Sequence, residues 1–398
     1  MFYDNQPVEK RDAYKTMLGL VGSLSRLFST AKEPFLYYRA HENIFAKYFD
    51  LINNSRSDDS ADAYSSELHL GIGLKTWVGG DNQKVAEFGK LRPMYEGLTG
   101  IDLVKEIAGY RNERIRVTKN AHGLSEILYH IVKRVPGAMC IYEAAFDPID
   151  IDNIVLDENR GSENSIYFTD GKHTYHFSLS KNTLYMNFDD MELLDSFDVV
   201  IYDDPYEVLS EVMKKVDDGS LATRPQLHSE ETKDQLCLRL YSSTKTEKFV
   251  PLKSGLNQWN GSRAAYMTDP ETGERILKKR TPRNPNELYI PYPAEDRKRK
   301  AFFPPKDKPF KLLLPDGKEL SAKVCQDDGK AIMSNPNQEL GKWLLRDVFE
   351  LEEGQVVTYD MLKIFGIDSV LFTKESDDVY SVDFCDLGTY ESFYGLAD

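Results

Sequence analysis

The chain has 398 residues, 50 Lys and Arg against 65 Asp and Glu, and a formal net charge of −15. At roughly 100–200 residues per domain this length predicts two or three domains, and 41% hydrophobic residues, with 12% aromatic ones, exclude a wholly disordered chain. No apolar run reaches the roughly 18 residues of a membrane span, and the net charge taken alone argues against nucleic-acid binding.

The first 92 residues are predicted to form helices around one strand. The ranges predicted from apolar spacing are helices at 10–30, 34–53 and 82–92, a polar loop at 53–61 and a strand at 67–78. On the strand, Gly71, Gly73 and Lys75 share one face because alternate side chains point to the same side. Glycine carries no side chain, so this face is expected to admit a bulky ligand or another backbone beside Lys75.

Strands dominate the next part of the chain. Residues 97–135 are expected to be mostly helical, and residues 204–216 to form a closing helix. Between these helices, alternation and turn residues predict strands at 138–145, 165–168, 174–179, 183–188 and 199–202. The polar segment 217–234, which contains Gly and Pro, is the expected linker, so that a first domain spans residues 1–216.

Residues 235–398 are expected to form a second, all-β domain. Strands are predicted at 235–241, 288–290, 310–314, 319–324, 370–373 and 380–384, with one helix at 340–349. A Lys-rich hairpin is expected to turn at Pro315, Asp316 and Gly317.

Charge is distributed unevenly between these parts. Residues 245–346 hold 21 basic and 13 acidic residues, a net charge of +8, whereas the remainder holds 29 and 52, a net charge of −23. The densest basic clusters lie at 278–283 and 297–300. For either cluster alone a solvated loop stays open as an explanation, but two clusters interleaved with aromatic residues favour polyanion binding.

Four residues of the first 90 carry the chemistry of a hydrolytic site. Glu42 shares the apolar stripe of its helix, Asp62 precedes the strand that carries Lys75, and Glu87 is placed on the following helix. Carboxylates hold Mg²⁺, which activates water and neutralises a phosphate, and a lysine adds a positive charge beside both. The alternatives stay open that Glu42 only pairs with Arg39, or that the whole set is a structural ion-pair cluster.

These residues resemble the PD-(D/E)XK superfamily of restriction nucleases, which implies an α/β (α+β) restriction-endonuclease-like fold. Asp62 would be the aspartate of the motif and Lys75 its lysine. The sequence departs from the motif at Gly73, where an acid is expected. Glu87 is the candidate replacement, and Glu42 would correspond to an upstream glutamate, so that Asp62, Glu87 and Glu42 would bind Mg²⁺.

The C-terminal part resembles the B3-like DNA-binding domain of bacterial restriction endonucleases. The resemblance rests on the segments SGLNQW, ELYIPYP, FFPPKDKPF, LPDGKELSAKVCQ, GKAIMSNPN and LGKWLLRDV. It implies a seven-stranded, all-β pseudobarrel that grips the DNA major groove with two arms, at about residues 254–263 and 326–337. Relatives with this domain often carry a phospholipase-D-type nuclease, but the HxK motif of that class does not occur here.

Amide, guanidinium and ammonium groups of the two arms are the candidate DNA contacts. Those of the first arm are Asn257, Gln258, Trp259, Asn260 and Arg263, and those of the second arm are Gln326, Asp327, Lys330, Ser334 and Asn335. Trp259 is equally well explained as a packing residue, and Asn335 as a turn residue before Pro336.

Together these patterns predict a type II restriction endonuclease that hydrolyses double-stranded DNA at specific sites with Mg²⁺. A non-catalytic, sequence-specific DNA-binding regulator and a modification-dependent nuclease are the alternatives. The expected partners are double-stranded DNA, a second copy of the chain in a homodimer, and a cognate methyltransferase, with no membrane contact. Four dispersed cysteines without a CxxC motif, and no visible signal peptide, favour the reducing cytoplasm.

Overall fold

The structure is a computed structural model, and it describes residues 1–54, 59–189, 191–218, 233–269, 271–272 and 274–396. The chain forms two compact units. The first comprises Met1–Ile115 and Leu124–Glu231, and the second comprises Arg116–Gly123 and Thr232–Asp398. Most of the linker predicted at 217–234 lies outside the described residues, as does the middle of the loop predicted at 53–61. Among the described helices none is long and apolar enough to cross a membrane.

The first unit mixes helices with two sheets. Its helices are α1 (Val8–Ser23), α2 (Tyr38–Phe49), α3 (Arg92–Tyr95), α4 (Gly100–His122, whose last residues count with the second unit) and α5 (Pro205–Asp217). Its strands are β1 (Ile52–Asn53), β2 (Ala63–Ser65), β3 (Leu70–Val78), β4 (Asn82–Glu87), β5 (Glu126–Val135), β6 (Ala138–Ala145), β7 (Val155–Ser162), β8 (Ser165–Thr169), β9 (Thr174–Ser178), β10 (Thr183–Asn187) and β11 (Leu193–Asp198).

The larger sheet of this unit has the order β1-β2-β3-β5-β6-β11. Its neighbours are antiparallel except β3 and β5, which run parallel and pair Gly73 with Tyr129 and Lys75 with Ile131. Helices α1 and α2 contribute Tyr14, Leu18, Phe45 and Phe49 to a core that also includes Ile72 and Leu74 of β3. This packing holds α2, the helix that carries Glu42, within the same core as the strand that carries Lys75.

The smaller sheet has the order β4-β10-β9-β8-β7 and is antiparallel throughout. One of its faces is apolar and buried; its members include Phe168, Tyr175, Phe177, Leu184 and Met186. The opposite face is half-exposed. This alternation is typical of an antiparallel sheet that packs on a core with one side only.

Three element predictions for the first unit are corrected. Residues 82–87 form β4 instead of a helix, because they pair with β10. Residues 126–135 form β5 instead of extending the preceding helix, and pairing on both sides with β3 and β6 buries most of them. Residues 199–202, predicted as a strand, follow β11 without being part of it. Periodicity alone does not distinguish a buried strand from a helix.

The second unit is rich in strands. Its strands are β12 (Gln235–Arg239), β13 (Ser242–Ser243), β14 (Lys248–Phe249), β15 (Ser262–Thr268), β16 (Arg275–Pro282), β17 (Ile290–Pro291), β18 (Pro309–Leu313), β19 (Glu319–Cys325), β20 (Ala331–Ser334), β21 (Ile367–Ser376) and β22 (Val379–Asp386). Its helices are α6 (Ala294–Arg299), α7 (Glu339–Gly341), a π-helix at Lys342–Val348, α8 (Tyr359–Phe365) and α9 (Thr389–Phe393).

Seven of these strands form one sheet in the order β12-β21-β22-β18-β19-β20-β17. The two terminal strands, β12 and β17, also contact each other, so the sheet is nearly closed into a barrel. Its interior holds Leu238, Leu312, Ile332 and Phe372. The hairpin predicted to turn at residues 315–317 is present between β18 and β19. The predicted sheet-rich architecture of this domain is therefore confirmed.

A two-stranded ribbon of β15 and β16 stands apart from that sheet. The residues of the ribbon whose side chains are described, such as Arg263, Lys278, Lys279 and Arg280, are exposed. Its base is tied to the rest of the unit by Glu287, which is 1% exposed and accepts hydrogen bonds from Arg263 and Arg283.

Candidate catalytic cluster and candidate nucleic-acid interface

Asp62 lies immediately before β2 and continues the pairing with β3 through its side chain. Its backbone N–H donates to the carbonyl of Ile72 at 2.9 Å, and its carboxylate accepts the backbone N–H of Leu74 at 2.6 Å. The carboxylate is therefore held beside the residue that precedes Lys75. A carboxylate that accepts a main-chain N–H keeps acceptor capacity for a further ligand, because it has about four lone-pair sites.

Lys75 is half-buried on β3, with its Nζ 6.0 Å from the centroid of the Tyr129 ring. Burial lowers the pKa of Lys75, and the charges of Asp62 and Glu42 oppose that shift. Three of the four residues that the sequence singled out for catalysis therefore interact electrostatically. An ammonium group beside two carboxylates is consistent with both a hydrolytic site and a structural ion cluster.

Glu42 is 6% exposed on α2, and its Oε2 accepts from Arg39 Nη1 at 3.1 Å. The pair expected as the structural alternative is therefore present. Arg39 is substantially exposed, so this ion pair lies at the rim of the core, where a surface pair contributes little to stability.

The residues around Gly73 explain why the acid of the motif is absent. A Cβ at Gly73 would lie 2.9 Å from the ring of Phe146 and 3.2 Å from that of Tyr129. A Cβ at Gly71 would lie 2.9 Å from Leu124. The space beside the two glycines was expected to admit a bulky ligand; it is instead filled by apolar side chains of the same unit.

Glu87 does not replace the missing acid as the sequence predicted. It ends strand β4 and is exposed, and its carboxylate is bound by Lys84. Lys84 is itself among the charges that act on Lys75, whereas Glu87 is not among the principal ones. The helix that was predicted to carry Glu87 does not form at this residue. The direction of the Glu87 side chain is set instead by the alternation of side chains along strand β4.

Arg111 and Tyr129 belong to the same cluster and were missed by the sequence analysis. Arg111 is 3% exposed on α4, donates to the carbonyl of Asp147 at 2.6 Å, and contributes to lowering the pKa of Lys75. Tyr129 is fully buried, and burial raises its pKa. No motif marks either residue, because they reach the cluster through the parallel pairing of β3 with β5 and the packing of α4.

Mg²⁺ is the metal that the resemblance implies, and the fit of these residues to it is partial. Asp62 and Glu42 offer the carboxylate oxygens that Mg²⁺ prefers, and this ion usually takes one or two carboxylates and keeps several waters. In the described part of the chain, however, no three Asp, Glu, His or Cys side chains are grouped as metal ligands. Asp62 and Glu42 are the residues that would hold the ion, whereas Glu87 is exposed and bound by Lys84.

A buried polar network lies behind Glu42. Tyr14 Oη is 2.8 Å from His41 Nε2 and 3.0 Å from His130 Nε2, and His130 Nδ1 is 3.3 Å from Glu143 Oε1. If His130 donates to the Glu143 carboxylate, Tyr14 must donate to His130 and accept from His41. Burial lowers the pKa of both imidazoles. The network links α1, α2, β5 and β6 with both histidines neutral.

In the first predicted arm, three of the five candidate contacts are structural. Asn257 is fully buried; its Nδ2 donates to the carbonyls of Pro251 and Val357, and its Oδ1 accepts from the N–H of Val357. Gln258 is 5% exposed, and Trp259 packs against the core. The segment Gly255–Asn260 is a 3-10 helix, which turns these side chains inward. DNA cannot reach Asn257 or Gln258 without opening the domain.

Asn260 and Arg263 remain exposed in this arm. Asn260 donates to the carbonyl of Leu252 at 3.0 Å, and Arg263 lies near the start of the β15–β16 ribbon. Lys278, Lys279 and Arg280 follow on the second strand of the ribbon, and no described carboxylate forms an ion pair with them. The exposed basic surface of this arm is therefore the ribbon.

The second predicted arm divides in the same way. Gln326, Asp327 and Lys330 lie at a turn between β19 and β20, with Asp327 and Lys330 exposed, and Asn335 is also exposed. Ser334 is 2% exposed, and its Oγ accepts the N–H of Leu340 at 2.9 Å. Ser334 is thus a structural residue that holds the start of α7, and it is removed from the candidate contacts.

The second basic cluster, at 297–300, is largely satisfied within its own unit. Arg297 donates to the carbonyl of Tyr292, Arg299 pairs with Asp296, and Lys300 pairs with Asp234. A shallow cavity of about 210 Å³, lined in part by Arg297 and Lys306, lies between this cluster and the Gln326 turn. This cluster mainly stabilises its domain, in contrast to the ribbon.

Comparison with known proteins relates most of the second unit to a known DNA-binding domain. Residues 239–376 match the family model described as the NgoFVII C-terminal B3-like DNA-binding domain, a domain of restriction enzymes. The matched segment contains the ribbon, the Gln326 turn and five of the seven strands of the barrel-like sheet, together with the last residue of β12. No curated protein matches the chain. The predicted B3-like domain is confirmed, and the nuclease resemblance of the first unit stays a prediction.

Proposed function

We propose that the chain is a type II restriction endonuclease that hydrolyses double-stranded DNA at specific sites. The match of residues 239–376 to a restriction-enzyme DNA-binding domain carries the proposal. The charges of Asp62 and Glu42 that act on Lys75 in the other unit support it, because a lysine with carboxylates suits metal-assisted phosphodiester hydrolysis.

Recognition is assigned to the second unit. The β15–β16 ribbon presents Lys278, Lys279 and Arg280 to phosphates, above a base where Arg263 is bound to Glu287, and the turn with Gln326 and Lys330 presents a second polar edge. Phosphate contacts set affinity and register, whereas contacts to base edges set sequence preference. We assign the lysines of the ribbon to the backbone and the side chains of the turn to base edges.

Hydrolysis is assigned to the cluster around Lys75. A bound Mg²⁺ would supply a Lewis acid and a water nucleophile at neutral pH. Asp62 and Glu42 hold the negative charge that attracts the ion, and the backbone bond from Leu74 fixes one Asp62 oxygen. Lys75 directs its ammonium at the scissile phosphate and holds the attacking water in line. Products with 5′-phosphate and 3′-hydroxyl ends are expected, and cutting both strands favours a homodimer.

A non-catalytic DNA-binding regulator is the rival function. It is favoured by the glycine at the position of the motif acid and by the ion pair of Glu42 with Arg39. A modification-dependent nuclease would differ in cutting only methylated DNA. An ordinary restriction endonuclease would instead be accompanied by a methyltransferase that protects the host sites.

Incubation of phage and plasmid DNA with the full chain, with and without Mg²⁺, tests the proposal. We expect discrete Mg²⁺-dependent fragments, and sequencing of the fragment ends gives the site and the stagger. Lys75→Met should abolish cutting while sequence-specific gel shifts persist, and Lys105→Met, which replaces an exposed lysine of α4 in the same unit, is the control. Specific shifts without cleavage under several metals, on unmethylated and methylated DNA alike, would establish the regulator instead.

A further inference from the structure

The half-exposed face of the smaller sheet in the first unit carries a row of stacked rings. Tyr167 pairs with His176, and His176 with Tyr185, on adjacent strands. The ring centroids are 4.3 Å and 5.4 Å apart, with interplanar angles of 9° and 18°. All three rings are half-buried. Such cross-strand pairs stabilise a sheet, but they also give it a continuous aromatic wall.

A cavity of about 520 Å³ is lined by Tyr167 and His176 of this row. Its floor is the next row of the same face, which runs across the strands through Thr169, Thr174, Asn187 and Asn82. These side chains are short and polar, so the taller rings of Tyr167 and His176 rise above them. The volume lies within the range of small-molecule sites.

The edge strand opens the cavity at one end. Strand β7 pairs regularly through Leu156 and again from Gly161, and the residues between them bulge away opposite Tyr167. Asp157 and Arg160 of this bulge line the cavity and form an ion pair at 3.5 Å, in which Arg160 remains mostly exposed and keeps donors for a further anion. A Cβ at Gly161 would lie 2.0 Å from the carbonyl oxygen of Ser165 and 3.2 Å from the Tyr167 ring, so glycine is required there.

The cavity thus combines an aromatic wall, a floor of amide and hydroxyl groups, and a guanidinium at its rim. Aromatic rings stack on a planar heterocycle, and amides hydrogen-bond its edge. A guanidinium at the rim suits a phosphate linked to that heterocycle. The row of rings continues through Tyr185 to Lys84, a charge that also acts on Lys75.

We infer that this cavity binds one unpaired nucleobase, stacked against the rings of Tyr167 and His176 with its phosphate at Arg160. The inference rests on the proposed function only in taking DNA as the ligand of the chain. It assigns the first unit a base-binding site of its own, separate from recognition of duplex DNA by the second unit. The base is held either as part of a DNA strand or as a free nucleotide.

Binding of a fluorescent six-nucleotide single strand to the full chain tests this inference, in EDTA and with excess unlabelled duplex to saturate the second unit. We expect Tyr167→Ala to weaken single-strand binding roughly ten-fold, as removal of a stacking partner does, and Tyr167→Phe to restore it. Thr174→Trp, which fills the cavity from an exposed position, should weaken binding as much. Tyr206→Ala, an exposed tyrosine outside the sheet, is the matched control.

A competition experiment distinguishes a base within a DNA strand from a free nucleotide. Competition by dAMP alone identifies a site for free nucleotides, whereas retention of the strand against dAMP identifies a base within DNA. Single-strand affinity that is unchanged in both Tyr167→Ala and Thr174→Trp, or that falls equally in Tyr206→Ala, overturns the inference. Because EDTA removes metal chemistry, a failure of the proposed nuclease activity leaves this result interpretable.

Discussion

At the scale of single residues, Asp62 combines a structural and a chemical property. Its carboxylate accepts the N–H of Leu74 where β2 begins, and its charge raises the pKa of Lys75 against the effect of burial. The hydrogen bond spares the Leu74 N–H from being left unpaired, which would be costly, whereas the negative charge acts on Lys75. A substitution can remove the charge and keep the hydrogen bond, so the two contributions can be separated. Variants at this position can therefore distinguish catalysis from folding.

Asp62→Asn keeps an oxygen for the Leu74 N–H but removes the charge. We expect DNA cleavage to fall at least about 100-fold while the free energy of unfolding changes by less than about 1 kcal/mol, because the hydrogen bond is retained. Asp62→Ala should abolish cleavage and also lower the free energy of unfolding by about 1–3 kcal/mol. Plasmid cleavage rates and urea denaturation measure both. Normal cleavage by Asp62→Asn would remove Asp62 from the catalytic cluster.

The buried histidines His41 and His130 are expected to make the free energy of unfolding depend on pH. Burial lowers the pKa of both, so the unfolded chain binds protons at a higher pH than the folded chain. Stability contributed by the neutral imidazoles is complete above about pH 6.5 and is lost as the pH falls below it, by about 1.4 kcal/mol per histidine and pH unit. Urea denaturation of the chain at pH 7.5 and 5.5 measures this loss.

Two histidine variants control that measurement. His130→Asn should be less stable at pH 7.5 but should lose less stability on acidification, because one titrating group is removed. His69→Gln replaces an exposed histidine and should leave the profile unchanged. A profile that His130→Asn does not flatten would show that other groups cause the acid sensitivity.

At the scale of elements, the β15–β16 ribbon and the 3-10 helix before it differ in what they present. The helix turns Asn257 inward, where its amide holds the segment around Val357, whereas the ribbon exposes its lysines. Sequence chemistry alone favours both segments for DNA binding, because amide and basic groups both contact DNA. Burial decides between them.

Replacing Lys278, Lys279 and Arg280 with Gln tests the ribbon. We expect weaker duplex binding on all sequences alike, and a salt dependence of log Kobs that becomes shallower by about 0.9 for each phosphate that the ribbon no longer neutralises. Gel shifts at several salt concentrations measure both. Lys308→Gln, which removes a lysine paired with Asp378 in the same unit, should leave the slope unchanged. A changed sequence preference with an unchanged slope would assign the ribbon to base readout.

At the scale of the whole molecule, the two units divide the charge and the proposed work. The basic region at 245–346 lies in the second unit, and the candidate carboxylates lie in the first. A total of −15 conceals this separation. The two units have separate hydrophobic cores. We therefore expect removal of metal to affect DNA cleavage, which is assigned to the first unit, without affecting DNA binding by the second unit.

Removal of metal tests that separation directly. In EDTA the chain should bind its duplex site with an affinity within about two-fold of that in Ca²⁺, because phosphate contacts by Lys and Arg need no metal, but it should not cut. Addition of Mg²⁺ should restore cleavage at the bound sites. Gel shifts and digests of the same DNA check both results. Cleavage that persists in EDTA would rule out the metal-dependent mechanism.

The sequence by itself determined the division of charge, the B3-like domain and most strands of that domain, because these depend on composition, segment identity and local alternation. The choice of Asp62, Lys75 and Glu42 as catalytic residues stays a prediction. Only the tertiary structure decided that Phe146 occupies the space beside Gly73, that Glu87 lies on a strand, and that Asn257 is buried. The physical reason is the distance along the chain between the residues involved. The parallel pairing of β3 with β5 and the packing across a core bring together residues that no local sequence pattern relates.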